Sequence, residues 1–479
     1  MDILMAGFVL ANVLAFFMSG NKAAAYTGEA GRRCGLQFVL LAFFLYVCMA
    51  RYCRIRRYVV VIFMLAGSFV GIDGICQFMG YDFLGLREGL MQSIRNVYIS
   101  TFGNIDIFAS FLCVLVPMAA GAYISSEGKE SIVIRITAVI AVLTGTGAVI
   151  ISNANLAYAG VGGAMIVAWI WASYRGKIRE FADVCLVMAC GVLAISIMLG
   201  RTDNGYSELD GLSCFVRDSR MVWIVSVVVL VVWAAIRLAS KWTVKFRGKA
   251  ALAVSVGVSL AGIVAVVIYA AHNHMGIFSF EDSWGNYRGF VWRRLMEAYS
   301  DFSVPQRLFG YGNESVKAIM TDRYYDDMMN TVGVIYDNAH NEYLQYLITT
   351  GIFGAVSYVG LLVTTGGALV RTAVSGAVMN ENENASGQSA GKRSKEKKTS
   401  RDSRTVRGSK TGTGLECLLG YAEDEGSMIA VLFGIIGYAV QAFVNLNQSL
   451  TTPYIFLLIA MAGGLCRRYI CQFADGGRK

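Results

Sequence analysis

The chain of 479 residues is 56% hydrophobic and only 16% charged, against about 25% charged residues in soluble proteins. This composition excludes a soluble enzyme, a secreted disulfide-rich scaffold and a disordered protein. The net charge is +9, and the eleven cysteines are scattered without a CxxC pair, so we interpret them as small packed hydrophobes and not as metal ligands.

Twelve apolar stretches predict an all-α polytopic membrane protein with about twelve transmembrane helices, because a helix needs about 20 apolar residues to cross a bilayer. The chain enters the first stretch at residue 3 without a basic region or a cleavage site, which favours a retained helix over a signal peptide. The stretches are 3–19, 34–52, 58–79, 105–124, 132–152, 155–174, 181–200, 221–239, 250–272, 343–370, 427–446 and 452–469.

The Lys and Arg residues orient these helices, because cytoplasmic connections carry an excess of them. If the N-terminus is cytoplasmic, the inner connections hold about two thirds of all Lys and Arg. We therefore predict a plasma-membrane protein with both termini in the cytoplasm. Its parts are about nine helices in 1–271, an outer loop at 272–342, a helix at 343–371, a cytoplasmic loop at 372–426, and two helices with a short basic tail in 427–479.

The two longest connections differ in composition. Residues 381–414 contain no aromatic residue and are rich in Ser, Gly, Lys and Arg, which predicts a disordered cytoplasmic linker. Attraction of this basic segment to anionic lipid is the alternative interpretation. The outer loop at 272–342 is rich in Trp, Tyr and Phe, so we expect it to fold.

Within the outer loop, residues 288–302 have the spacing of an amphipathic helix. Trp292, Leu295, Met296 and Tyr299 share one stripe, which favours an interfacial helix on the outer leaflet. Arg288 extends that stripe at the first turn, where a planar guanidinium suits a lipid-linked phosphate or diphosphate. An arginine that merely reaches the membrane boundary is the alternative.

A histidine begins the tenth span. His340 at a helix N-terminus is expected to stay neutral, because the helix dipole disfavours imidazolium, and Asp337 is near enough to cap the helix or orient the ring. Asn341, Gln345 and Thr349 form a polar stripe next to it. A histidine that only hydrogen-bonds the loop is the alternative.

The same helix carries small residues at Gly351, Gly354 and Ala355, which predict the close approach of another helix.

A metal site made of His272, His274 and His340 is disfavoured, because no carboxylate or cysteine falls at a telling spacing. P-loop, dinucleotide and HExxH motifs do not occur in the sequence. We predict no metal, no cofactor and no nucleic-acid partner.

Four motifs together resemble the O-antigen ligase and polymerase family of membrane glycosyltransferases, over roughly residues 95–465. The strongest is His340-Asn341 followed nine residues later by Gly351-x-x-Gly354; the others are Arg288-x3-Trp292, the run LFGYG at 308–312 and the run STFGN at 100–104. The chain departs from the family at Asn153, where an arginine is common, and at Thr350, where an acidic residue is common. Arg95, Arg201 and Arg307 are the candidates to compensate for the missing arginine.

The resemblance implies a GT-C-like, metal-independent and inverting transferase. It would move a polyprenyl-diphosphate-linked oligosaccharide onto the hydroxyl of a glycan or lipid-glycan acceptor at the outer face of the membrane, in contact with membrane lipids. His340 would be the general base, and Arg288 would offset the charge of the departing diphosphate. The implied substrate-binding residues are Asn341, Asp337, Trp292, Arg307, Asn153 and Gln345.

Two other classes remain open on the residues alone. Twelve spans with both termini inside is also the layout of many secondary transporters, and a non-catalytic partner in envelope polysaccharide export is a third possibility. The chain has only three prolines, and its notable polar groups gather at the outer interface of the second half. This distribution favours the transferase, because transporters concentrate broken helices and charges at mid-membrane.

Overall fold

The computed structural model describes residues 1–53, 55–95, 97–126, 131–200, 211–239, 246–272, 280–396 and 412–476. Within these ranges the chain forms α-helices and no strand. The helices, numbered α1 to α18 in chain order, are Asp2–Met18, Lys22–Thr27, Leu36–Tyr52, Arg57–Phe78, Gln92–Arg95, Ile105–Ser125, Ile132–Ile151, Asn155–Arg175, Ile178–Leu199, Gly211–Asp218, Arg220–Leu238, Lys249–His272, Trp284–Ser300, Val304–Phe309, Val316–Thr331, Glu342–Glu396, Gly412–Gln441 and Thr452–Gly476.

Each of the twelve predicted apolar stretches coincides with one long helix. Eight helices in the described ranges are long and apolar enough to cross a membrane: α4, α6, α7, α8, α9, α11, α12 and the Glu342–Ser375 part of α16. Four shorter apolar helices complete the set: α1, α3, the Glu425–Gln441 part of α17 and the Thr452–Arg467 part of α18. The all-α polytopic membrane fold is confirmed, and the number of spans stays a prediction.

Helix α6 lies at the centre of the bundle and is the most enclosed of the eight candidate spans. It packs against α7, α8 and α17, and Leu112, Leu115 and Phe433 are fully buried in this core. Helices α11 and α12 lie at the periphery with most of their apolar surface exposed, as expected of helices that face lipid.

Three long helices bring their ends together beneath the outer loop. The amide of Asn445, just after α17, donates to the carbonyl of Asp106 at the start of α6, over 3.3 Å. The backbone N–H of Glu342 at the start of α16 donates to the carbonyl of Ala442 over 2.8 Å. One surface is thus formed by the start of α6, the start of α16 and the end of α17. We call this surface the floor of the site.

The described part of the outer loop folds on a core of its own, as its aromatic content predicts. Helices α13, α14 and α15 surround the start of α16. The buried members of this core are Phe290, Val291, Leu295, Ala298, Phe302, Val316, Ile319, Met320, Met328, Ala339, Leu344 and Ile348.

The predicted apolar stripe of α13 is confirmed at three of its four residues. Leu295 is fully buried in the core of the outer loop, and Trp292 and Tyr299 pack against that core. Met296 departs from the prediction, because its side chain is 47% exposed. The buried face also includes Phe290 and Ala298, since α13 packs against α15 and α16. The location of this helix on the outer leaflet stays a prediction.

The predicted linker at 381–414 lies partly outside the described residues. Helix α16 continues to Glu396, and residues 397–411 are not described. The disorder of this segment stays a prediction.

Candidate active site around His340

The loop before α16 holds His340 in an unusual backbone conformation. His340 has a φ of +48°, in the left-handed region that few residues other than glycine adopt, although Asn, Asp and His do so more often than the rest. The carbonyl oxygen of the Asn338 side chain accepts the backbone N–H of His340 at 2.9 Å, and the Asn338 amide donates to Asn447 Oδ1 over 2.7 Å. These bonds stabilise the turn that presents the imidazole.

Asn341, not Asp337, caps the helix. Asn341 Oδ1 accepts the backbone N–H of Leu344 at 3.0 Å, as an N-cap side chain does. Capping was one of two roles that the sequence allowed for Asp337, and the structure gives that role to the residue directly after His340.

Ala339, the residue directly before His340, is fixed through both of its backbone groups. Its N–H donates to Gln345 Oε1 and its carbonyl accepts the indole N–H of Trp292, each over 2.9 Å. The loop of His340 is therefore held by three side chains close to the histidine. Gln345 and Trp292 hydrogen-bond the residue before it, and Asn341 directly follows it. Their contact with substrate stays a prediction.

The imidazole itself is partly buried and short of partners. Its Nδ1 is buried without a hydrogen-bond partner among the described residues, and its ring meets the edge of Tyr336 with centroids 5.5 Å apart. Burial lowers the pKa of His340 to about 3, with further lowering from the positive charges of Arg288 and Arg32 and an opposing effect from Asp337. The ring is neutral at physiological pH, as the sequence predicts, although burial contributes more to this than any other cause.

The charge of Arg288, in the first part of α13, acts on this imidazole. The three residues before it, Gly285 to Tyr287, have left-handed backbone angles, so regular helix geometry begins at Arg288. One guanidinium nitrogen donates to the carbonyl of Gly285 over 2.9 Å, while its Nε is buried without a partner in the described ranges. The charge of Arg288 acts on His340 and also on Asp106 in the first turn of α6.

Arg32 is a component of the site that sequence reasoning missed. Its Nη2 and Nε donate to the two carboxylate oxygens of Asp337 over 2.9 and 3.2 Å, a bidentate ion pair. Its charge also acts on His340 and on Asp106. No local pattern could have indicated it, because Arg32 and Asp337 lie 305 positions apart.

Glu314 is a second group that sequence reasoning missed. Burial raises its pKa to about 7, and the charges of Asp337 and Glu29 add to this increase, against the opposing charge of Arg32. Its backbone is left-handed, with a φ of +56°, and its Oε2 accepts the N–H of Glu29 at 3.4 Å. The site therefore contains a carboxyl that changes its charge near neutral pH.

The STFGN run builds the start of α6. Asn104 caps that helix, since its Oδ1 accepts the N–H groups of Asp106 and Ile107 at 2.9 and 3.2 Å. The N–H of Ser100 donates to Gln77 Oε1 over 2.7 Å. This cap is the local reason that Asp106 is placed at the floor of the site.

Other residues that the sequence singled out lie apart from this cluster. Arg307 is exposed on α14 and donates to the carbonyl of Ser300, and Arg95 lines a separate polar pocket with Arg87 and Asp82. Asn153 lies at the junction of α7 and α8, with a φ of +51°. Arg201 and His274 lie outside the described residues.

His272 ends α12. No group of three metal-ligating side chains occurs within the described ranges.

The Gly351-x-x-Gly354 motif interrupts α16, and the LFGYG run hydrogen-bonds the chain just before the interruption. Gly351 has φ +68° and ψ −172°, so the helix is interrupted there. The N–H groups of Tyr311 and Gly312 donate to the carbonyls of Ile348 and Thr349 over 2.9 and 3.2 Å. The break thus ties the outer unit to the start of the tenth predicted span.

Another helix packs against the small-residue face of α16, as predicted. A Cβ added at Gly354 would lie 3.4 Å from the Cβ of Ala11, and one at Gly360 would lie 3.3 Å from Leu4. Both partners are on α1, which packs along α16.

Gly351→Ala should destabilise the protein by about 2 kcal/mol or more, the order of cost of a left-handed non-glycine residue combined with a steric clash. The new Cβ would lie 2.4 Å from the backbone of Leu308 and 2.6 Å from the nitrogen of Gly310. Thermal unfolding of the purified protein in detergent measures this. Gly367→Ala is the matched control in the same helix, because a Cβ there meets nothing within 4 Å; equal unfolding midpoints for the two variants would contradict the role of Gly351.

The chain is similar to one family of known proteins over about a third of its length. The family model described as O-Antigen ligase matches residues 209–359, a range that contains Arg288, Trp292, His340 and the glycine motif. No curated protein matches the chain, and no solved structure matches it. The family match supports an O-antigen ligase or polymerase type of function, with lipid-linked glycan substrates in a membrane. Residues 209–359 thus match the O-antigen ligase family, which the histidine and glycine motifs predicted.

Proposed function

We propose that the protein transfers an oligosaccharide from a polyprenyl diphosphate to the hydroxyl of a glycan or lipid-glycan acceptor at the outer face of the plasma membrane. The observation that carries this proposal is a neutral imidazole with a buried, unpartnered nitrogen, flanked by two arginines. A neutral ring can accept a proton, and the arginines suit an anionic leaving group.

His340 acts as the general base in this reaction. A ring with a pKa of about 3 is neutral but accepts a proton weakly. The donor offsets part of this lowering, because a diphosphate beside Arg288 and Arg32 neutralises the two positive charges that add to the effect of burial on the pKa. The base therefore gains strength when the donor is bound.

Arg288 stabilises the departing diphosphate. The acceptor oxygen attacks the anomeric carbon as His340 takes its proton, and the bond between that carbon and the diphosphate oxygen breaks. A single displacement of this kind inverts the anomeric carbon. The arginines offset the charge that develops on the leaving group, so we expect turnover without a metal ion and the same turnover in the presence of a chelator.

The test of the proposed function is an assay of purified protein with a lipid-linked oligosaccharide, with and without candidate acceptors. A ladder of products indicates a polymerase, and a single transfer indicates a ligase. NMR of the product reports inversion or retention at the new linkage. A protein that inserts normally and consumes no donor under any of these conditions would refute the proposal.

The pH dependence of the reaction should separate the free enzyme from the donor complex. The profile of kcat/KM reports groups of the free enzyme, and that of kcat reports groups of the complex. Because the pKa of His340 is lowered to about 3, kcat/KM should lack the loss of activity near pH 6.5 that an ordinary histidine gives as pH falls. The corresponding loss in kcat should occur at higher pH than in kcat/KM, since the bound diphosphate raises the pKa of His340.

The profile should be measured in Glu314→Gln, because Glu314 has a pKa of about 7 and titrates in the same range. Asp337, Asp106 and Tyr336 are kept intact, and Glu342, a buried carboxyl two residues after His340, is replaced by Gln in a second variant. A loss of kcat/KM near pH 6.5 that persists in both Glu314→Gln and Glu342→Gln would show that His340 titrates as an exposed histidine does.

The proposed orientation places α13 to α15 outside and both termini in the cytoplasm. In a cysteine-free background, Thr331→Cys at the exposed end of α15 should react with an impermeant maleimide in sealed right-side-out vesicles. A protein that keeps only Cys53, exposed in the connection between α3 and α4, should react only after permeabilisation. The reverse pattern would place His340 on the wrong side for the proposed reaction.

A further inference from the structure

The connection between α2 and α3 forms a tight loop that presents Arg32 to the His340 site. Gly28 has a φ of +86°, and a Cβ there would lie 2.5 Å from the backbone of Arg33 and Cys34. The N–H groups of Arg32 and Arg33 both donate to the carbonyl of Glu29 over 3.0 Å. These hydrogen bonds close the loop and restrict the backbone conformation of Arg32 and Arg33.

The loop is also fixed from outside. The N–H of Ser449, between α17 and α18, donates to the carbonyl of Arg32 over 2.9 Å. Glu29 pairs with Lys317 of α15 over 3.3 Å and donates its N–H to Glu314. Arg32 is thus held by two separate parts of the chain, which is the arrangement expected of a preorganised binding group.

The side chain of Arg32 is partly exposed to solvent. Its side chain is 22% exposed and that of Asp337 is 27% exposed, so the ion pair lies at the rim of the site and not in the core. The pair uses Nε and Nη2 of Arg32, while a guanidinium has five N–H donors. A ligand at the rim can therefore reach the remaining donors or displace the carboxylate.

The charge of the expected donor calls for more than one cation. A diphosphate carries at least one negative charge on each phosphoryl group, and one guanidinium offsets only one of these charges. Arg288 and Arg32 both act on His340 and on Asp106, so their charges converge on the same space.

We propose that Arg32 is a second diphosphate-binding residue, which holds the phosphate groups of the donor together with Arg288 and exchanges Asp337 for them when the donor arrives. This inference rests on the proposed function. It adds a residue that lies outside the matched O-antigen ligase range of 209–359.

Binding of inorganic pyrophosphate to the full-length protein, purified in detergent with chelator present, tests this role by isothermal titration. Arg32→Ala should weaken the affinity by about tenfold or more, the effect of losing a charge-assisted hydrogen bond, and Arg32→Lys should lie between Arg32→Ala and wild type. Asp337→Asn should bind pyrophosphate as tightly as wild type or more tightly, because it removes the competing carboxylate. Arg33→Ala is the matched control on the same loop, and its affinity should be unchanged.

The opposite effects of Arg32→Ala and Asp337→Asn separate binding from support. If Arg32 only holds Asp337 in place, both variants break the same ion pair and should lose affinity equally. Equal losses, or unchanged affinity in Arg32→Ala, overturn the proposal. Thermal unfolding midpoints show which variants are folded. If Arg32→Ala does not fold, the comparison of the single variants Arg32→Lys and Asp337→Asn decides whether Arg32 binds pyrophosphate or only supports Asp337.

Arg288→Ala distinguishes failure of this inference from failure of the proposed function. If Arg288→Ala weakens pyrophosphate binding and Arg32→Ala does not, Arg32 alone has been misassigned. If neither variant changes the affinity, the donor site itself lies elsewhere.

Discussion

Replacing His340 with alanine should lower turnover by about 10²- to 10⁴-fold, the usual contribution of a positioned general base. Membrane insertion and donor binding should stay near normal, because the loop is held by Asn338, Gln345 and Trp292 and not by the imidazole. His340→Gln can hydrogen-bond but cannot accept a proton at neutral pH, so it should be nearly as inactive. Turnover of lipid-linked donor by purified variants measures both effects.

His340→Asn is the sharpest of these variants. Residue 340 has a φ of +48°, and asparagine tolerates this left-handed conformation better than alanine or glutamine. The asparagine variant therefore keeps the backbone of the loop and removes only the base. If it retains most of the activity, the imidazole positions the acceptor and is not the base.

The other two histidines provide the control. His272→Ala, alone or with His274→Ala, should have much less effect than any substitution at His340. If the double variant is inactive and chelators inhibit the wild type, a metal site takes the place of the base mechanism.

The sequence predicts the helices better than their buried faces. Hydrophobicity over about 20 residues decides whether a segment lies in the membrane, so each of the twelve predicted stretches coincides with a helix. The face that a helix buries depends on its neighbours. Helix α13 packs Trp292, Leu295 and Tyr299 in or against the core as predicted. It leaves Met296 exposed and also buries Phe290 and Ala298, because it packs against α15 and α16.

The site shows the same division. His340, Asn341 and the glycine motif lie within one stretch of chain, so the resemblance to the ligase family could link them before their structure was known. Arg32 enters from a loop 305 positions from its partner Asp337, and Asp106 comes from the start of another helix. Whether Arg32 and Asp106 lie near His340 depends on how α3, α6 and α16 pack, and no local sequence pattern predicts that packing. The break at Gly351 is similar, because the carbonyls of Ile348 and Thr349 just before it bind the N–H groups of a loop 37 positions earlier in the chain.

Arg288→Ala should lower turnover by about 10²-fold, the order lost when one preorganised donor to a developing anion is removed. Donor affinity should fall more than acceptor affinity, because the proposed partner of the guanidinium is the diphosphate of the donor. Arg288→Lys keeps the charge but loses the planar fork, and should give intermediate activity. Steady-state kinetics with donor and acceptor varied separately measures the two affinities.

Arg323→Ala is the matched control for Arg288, since it removes a guanidinium from the same outer unit. Arg323 lies on α15 and pairs with the exposed Asp301 over 3.4 Å, a surface ion pair that contributes little to stability. Its loss should leave turnover near that of the wild type, so that a defect in Arg288→Ala reflects the position of the charge and not the net charge of the outer unit. Equal activity of wild type, Arg288→Lys and Arg288→Ala would leave Arg288 as an arginine at the membrane boundary, and the charge on the leaving diphosphate would then have to be offset by Arg32 alone.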